Sequence, residues 1–236
     1  PPIYTELGYF HDGLAYFKEN NTYGFINDQG KVIIAPSFED ASHFMNGVAP
    51  VKINGLYGLI NSSGKMVVHP KFNSCFQFSD KLFAASLDGK YGLIDTHGDF
   101  VIRPQYAVID MDSSPLVRVM TDYETHLTGY INREGKQVIS PRFNFSDVRS
   151  FDNGFASIQV NGKFGFIDES GQIAIQPIYN QVRSFDKNGL AMVELNNQWG
   201  FINTKGEVIV EIKYDYVGYF DDGLSPVTKQ GKVGYI

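Results

Sequence analysis

Chemistry in this chain would have to turn on five histidines, one cysteine and one tryptophan. The histidines are His11, His43, His69, His97 and His126. A zinc site needs ligands at short fixed spacings such as His-x-x-x-His, and no two of these histidines have one. They fall at different phases of the sequence and read as surface or turn residues. Cys75 stands beside Phe76 in an apolar stretch. A thiol nucleophile needs a partner that draws off its proton, and the sequence nominates none, so Cys75 reads as a small buried hydrophobe. Asn27, Asn61, Asp95, Asn132, Asp168 and Asn203 could offer oxygens to calcium. Each is instead followed three residues on by Gly, and no Asp-x-Asp-x-Asp run accompanies them, so they read as turn residues. Nucleophile-elbow, P-loop and dinucleotide-binding glycine patterns are absent. The expectation is therefore no catalytic set, no metal and no cofactor. What remains is recognition chemistry: Trp199 and the tyrosines beside the hairpin tips could stack on a peptide or a sugar.

The elements that would carry these residues are legible as a repeat. Seven segments align: Tyr23-Gly24-Phe25-Ile26, Tyr57-Gly58-Leu59-Ile60, Tyr91-Gly92-Leu93-Ile94, Thr128-Gly129-Tyr130-Ile131, Phe164-Gly165-Phe166-Ile167, Trp199-Gly200-Phe201-Ile202 and Val233-Gly234-Tyr235-Ile236. Their glycines are 34, 34, 37, 36, 35 and 34 residues apart. In six of them Asn or Asp follows the Ile, with Gly three residues later, which is a turn signature between two strands. A Pro and then an aromatic come next, as in Pro36/Phe38, Pro70/Phe72, Pro104/Tyr106, Pro141/Phe143 and Pro177/Tyr179; Ile212 takes the Pro place before Tyr214. Proline donates nothing to a ladder, so it is expected to end the strand. Phe-x-x-Gly and an apolar strand follow, clearest at Phe44/Gly47, Phe151/Gly154 and Phe220/Gly223. That strand ends in a two-residue tip such as Asn54-Gly55, Asp88-Gly89 or Asn161-Gly162, the strongest short hairpin signal.

These residues resemble the WG (KWG) repeat family of bacterial proteins. The likeness rests on aromatic-Gly-aromatic-Ile-Asn/Asp-x-x-Gly, the Pro-x-aromatic pair and Phe-x-x-Gly, and it spans essentially the whole chain. Only Trp199-Gly200 has the literal Trp-Gly. The resemblance implies an interaction role in extracellular, lipoprotein or cytoplasmic proteins, and supplies no catalytic residues.

Four short antiparallel strands in each repeat make an all-β chain. About seven such meanders predict a β-propeller-like array; the alternative is an open β-solenoid of stacked hairpins. Residues 1–236 form one array of six full repeats with partial ones at both ends, starting mid-repeat at Pro2. The net charge of −6 comes without any Lys/Arg cluster, which excludes a phosphate-tracking nucleic-acid surface. No apolar run reaches the ~20 residues of a membrane helix. One cysteine allows no internal disulfide. A chain that begins at Pro1 is expected to be processed or trimmed, with a bacterial extracytoplasmic location after loss of an export signal.

One repeat is irregular. Between Tyr106 and Gly129, Asp112 takes the place of the Phe and Pro115 that of the Gly. Its tip grows into a polar loop, roughly Thr121–Leu127. Irregular loops on regular scaffolds often carry function, so Asp112, Asp122, Tyr123, Glu124 and His126 are the candidate partner-binding residues, and Trp199 the candidate stacking residue. The leading expectation is a non-catalytic scaffold that binds a protein or ligand. The alternatives are a cell-envelope glycan-binding module and, third, a propeller hydrolase. Equivalent aromatic pockets in several repeats would favour glycan; one irregular apolar patch would favour a protein partner.

Overall fold

The structure is a computed structural model that describes residues 4–110, 112 and 114–236. The Pro2-Ile3 start of the array lies outside the described residues. All regular structure among the described residues is strand. Seven antiparallel sheets of three or four strands follow one another along the chain, one per repeat, so the architecture is all-β and propeller-like. In the second repeat the strands are Asp40–Ala41, Val48–Ile53, Leu56–Asn61 and Met66–Phe72. A single residue links most sheets to the next, as Glu39 does between Val32–Phe38 and Asp40–Ala41; a longer segment joins Gln137–Asn144 to Phe155–Val160. The chain divides into two compact bodies. One comprises 1–111, 121–123 and 133–136; the other comprises 112–120, 124–132 and 137–236.

Both hairpin tips of a repeat are fixed by backbone sterics. Asn54 and Gly55 have φ of 51° and 79°, the positive pair that a two-residue hairpin matched to strand twist requires. The Phe-x-x-Gly segment proves to be a second tip of the same kind. Asn46 and Gly47 have φ of 48° and 80°, and Met45 and Val48 exchange backbone hydrogen bonds around them. The linking residue then caps the first kind of tip: Gly55 N donates to Glu39 Oε2 at 3.0 Å, and Asn196 N to Asn180 Oδ1 at 3.1 Å.

Proline does not end the strand. Pro36 lies inside Val32–Phe38, and the same holds at Pro70, Pro104, Pro141 and Pro177. The ladder accommodates it through a bulge: Tyr23 pairs with Phe38 and Phe25 with Ile34, so three residues stand opposite Gly24. A Cβ on Gly24 would lie 2.5 Å from Ile34 O and 2.8 Å from Pro36 N. The repeated glycine and the repeated proline are therefore two halves of one crossing. Glycine admits the bulged backbone, and proline has no N–H to leave unpaired there.

The core forms between consecutive sheets. The second aromatic of each aromatic-Gly-aromatic segment packs on the Phe of the next Phe-x-x-Gly. Ring centroids are 4.8 Å apart in Phe25–Phe44, Tyr130–Phe151 and Phe166–Phe185, and 4.9 Å apart in Phe201–Phe220. Interplanar angles of 53° to 78° suit the edge-to-face attraction of aromatic quadrupoles. This contact explains why that Phe recurs in strict phase.

Candidate interaction surfaces

The Asn/Asp turn residues are fully spent on their own backbone. Asn27 Oδ1 accepts from Gln29 N at 3.2 Å and Lys31 N at 2.9 Å. Asp168 Oδ1 accepts from Ser170 Oγ at 2.6 Å, Ser170 N at 2.9 Å and Gln172 N at 3.0 Å. The Ser170 hydroxyl and these amides hold the Asp168 carboxyl below its ordinary range. Among the described residues no three His, Cys, Asp or Glu side chains converge as a metal would need. Cys75 is buried, and burial pushes its thiol up to about 12.

Asp122, Tyr123, Glu124 and His126 lie in the connection between Leu116–Met120 and Leu127–Asn132. Its ends are tied down: Lys90 Nζ donates to Thr121 O at 2.6 Å, and Tyr123 Oη donates to Ala107 O at 3.2 Å. The Tyr123 ring is still 67% exposed. Asp112 stands before the Leu116–Met120 strand of the same repeat. It lines a polar cleft of about 590 Å³ with Ser114, Arg149, Ser150, Asn153 and Ser184. This cleft runs along the Phe-x-x-Gly tips. Asn153 Nδ2 donates to Phe185 O at 2.7 Å there, joining one tip to the next. The first body carries an equivalent cleft of about 380 Å³, lined by His11, Asp12, Asn46, Gln77 and Asp80 among others. In that body His11 and His43 stand with ring centroids 4.7 Å apart. Burial, with His11 as a second cause, holds His43 below its ordinary value. No sequence signal marks this pair, because the two histidines occupy different phases and only the packing of consecutive sheets brings them together.

Trp199 lies half-buried in the third strand of the sixth repeat, Gln198–Asn203. It borders a cleft of about 430 Å³ with Arg183, Met192, Tyr216, Val217 and Tyr219. Met192 and Val217 are buried beneath, while Tyr216 and Tyr219 are exposed. The cleft lies between the hairpin of one repeat and the first strand of the next. Two other repeats have the equivalent place filled. In the first, Tyr16 stands where the sixth has Met192, with its ring 5.9 Å from Tyr23 and 5.1 Å from His43. In the fourth, Arg118 stands there, donating to Phe145 O at 3.3 Å and Val148 O at 2.6 Å. The sequence nominated Trp199; Tyr216, Tyr219 and Arg183 came only with the fold.

The family model described as "WG containing repeat" matches residues 1–23, 23–57, 57–91, 91–123, 129–164, 164–199 and 199–232. The chain belongs to the WG repeat family. The matched segments are seven, as many as the sheets, with most boundaries falling at the strand bearing the repeated Gly. No curated relative matches the chain. Among solved structures, a eukaryotic initiation factor is similar with a TM-score of 0.50 at 11% identity, over 97% of this chain and 72% of that one. The likeness at that identity is one of fold alone. Kluyveromyces lactis Hsv2p gives 0.41 at 9% identity, over 85% and 74%. The Neurospora crassa Pan2 WD40 domain gives 0.35 at 13%, over 98% and 87%.

Proposed function

We propose that this WG repeat array is a non-catalytic scaffold that binds another protein, with the Trp199 cleft as a contact point. The observation that carries the reading is the open aromatic cleft at a place that other repeats fill. Exposed Tyr216 and Tyr219 beside Trp199 supply rigid amphipathic rings of the kind enriched at the centres of protein interfaces. A glycan-binding array would call for equivalent aromatic pockets in several repeats, and Tyr16 and Arg118 occupy two of those places. That difference supports a protein partner. The extended tip, with Tyr123 outermost, is a second contact element in the same reading. The absence of a catalytic role rests on side chains that are spent on structure, Asp168 and its counterparts above all.

The test is quantitative capture by the purified chain and by two variants, Trp199→Ala and Tyr219→Ala, from the cells of its source, followed by a binding assay with the purified captured protein. Loss of affinity by tenfold or more in both variants, with unchanged melting temperature, is expected. Retention of full affinity in both would remove the cleft from the reading. Saturable binding of a neutral envelope polysaccharide instead would replace the protein partner with a glycan.

A further inference from the structure

Repeats five and six share the tetrapeptide Val-Arg-Ser-Phe, at Val148–Phe151 and Val182–Phe185. It places Arg149 and Arg183 at the same position of consecutive repeats, within one compact body. Their backbones are fixed in the same way: Arg149 N donates to Ser157 O at 3.0 Å, and Arg183 N to Met192 O at 2.9 Å. The two guanidinium groups have no hydrogen bond or ion pair among the described residues, and both residues are exposed. Three other arginines are spent on carbonyl groups. Arg118 donates to Phe145 O and Val148 O, Arg133 to Phe78 O at 2.9 Å, and Arg142 to Gly171 O at 2.6 Å.

Arg149 and Arg183 both face clefts. Arg149 lines the polar one with the Ser150 and Ser184 side chains, and Arg183 lines the aromatic one with Trp199 and Tyr219. Ser184 directly follows Arg183, so the two clefts adjoin along the chain. The acids nearby are already engaged or covered. Asp112 Oδ1 accepts from Ser114 N at 2.9 Å, and Asp152 Oδ1 from Asn153 Nδ2 at 3.1 Å. Glu194, opposite Trp199 in the ladder, is only 6% exposed. A free guanidinium is a planar fork of donors that matches a carboxylate. Two of them beside an aromatic cleft make a charged rail with an apolar socket, on a chain whose net charge is −6.

We propose that this edge binds an acidic peptide segment, with carboxylates on Arg149 and Arg183 and an apolar side chain in the Trp199 cleft. The proposal rests on the protein-binding reading and names the chemistry of the partner. An extended segment bearing Glu around a Pro-Phe pair has the right parts, since proline prefolds the segment and aromatic-lined grooves accept it.

Trp199 is the single tryptophan, so its emission reports on the cleft without a label. The probes are acetyl-Gly-Glu-Pro-Phe-Glu-Gly-amide, its counterpart with Gln for both Glu, and oligogalacturonate. The expected result is a saturable change in emission with the Glu peptide, at an affinity about tenfold or more above that of the Gln peptide. The preference should shrink as NaCl rises from 50 to 500 mM. It should also be lost in the Arg149→Gln/Arg183→Gln variant, whose melting temperature should match the parent because neither side chain supports the fold. Equal binding of the two peptides overturns the arginine assignment and leaves the protein-binding reading intact. A response to oligogalacturonate but to neither peptide overturns both. Silence with every probe overturns the acidic-peptide proposal, while the capture experiment continues to decide the broader reading.

Discussion

At the scale of single residues, the same side-chain chemistry is used for turn formation again and again. Asp168 takes the role that Asn27, Asn61 and Asn203 take elsewhere, accepting from the amides two and four residues on. Because it can ionise, it adds a pH dependence that Asn does not. Its carboxyl is held lower in the fold than in the unfolded chain. Its contribution is therefore fully present above the ordinary carboxylate value of 3.8 and is lost as pH falls through that value toward the depressed one. Asp168→Asn should leave the melting temperature at pH 7 nearly unchanged and lose less of it between pH 5 and pH 2.5 than the parent does. Parallel pH curves for the two proteins would contradict this. Cys75 gives a second prediction at this scale. A buried thiol pushed up to about 12 carries almost no thiolate at pH 8. A disulfide reagent such as DTNB should modify it only in denaturant; rapid reaction with the folded chain would show that the site opens.

At the scale of the element, the crossing of Gly and the bulged strand decides what the repeat tolerates. A Cβ on Gly165 would run into Ile175 O and lie 2.7 Å from Pro177 N, both of them backbone that cannot step aside. Gly234 sits at the same phase, yet a Cβ there meets nothing within 4 Å. Gly165→Val should destabilise by about 1–3 kcal/mol through overpacking, while Gly234→Ala should change stability by less than about 0.5 kcal/mol. Urea midpoints measure both, and similar effects at the two positions would refute the crossing. The extended tip offers a further check. Met120 pairs with Thr128, so Thr121 and Leu127 would face each other next in the ladder. Replacing Asp122–His126 with Asn-Gly should therefore close a two-residue hairpin in register and keep the melting temperature within a few degrees. A collapse of stability would mean that the tip is structural.

At the scale of the whole chain, stability is a sum over repeats and over the contacts between consecutive ones, of which four are aromatic pairs. Phe151, 2% exposed, is one such contact, packed on Tyr130. Phe151→Ala should cost about 3–5 kcal/mol. It should also uncouple what remains. Trp199 emission reports the sixth repeat alone, and far-UV circular dichroism reports every sheet, so their urea transitions should separate in the variant. Coincident transitions would show that the array unfolds as one cooperative block.

The sequence by itself determined the all-β class, the repeat and its family. Each of these rests on short-range rules: period-two strands, tips that need positive φ at Asn-Gly, and a glycine at a fixed phase. It also settled that Asn27 and its counterparts are turn residues, since the Asx pattern is local. It misjudged Pro36 and its equivalents, because the acceptor-free place opposite Gly24 exists only once two strands cross. It grouped Asp112 with Asp122, Tyr123, Glu124 and His126, and the fold adds Arg149 and Ser184 beside Asp112 in one cleft. The Trp199 cleft was half legible: the tryptophan stood out by type, while Arg183, Tyr216 and Tyr219 come from other segments of the chain. Only the packing of one sheet on the next decided which side chains met there and which were left without a partner, because the cleft draws on residues some 16 to 20 positions from Trp199, over which no local periodicity acts.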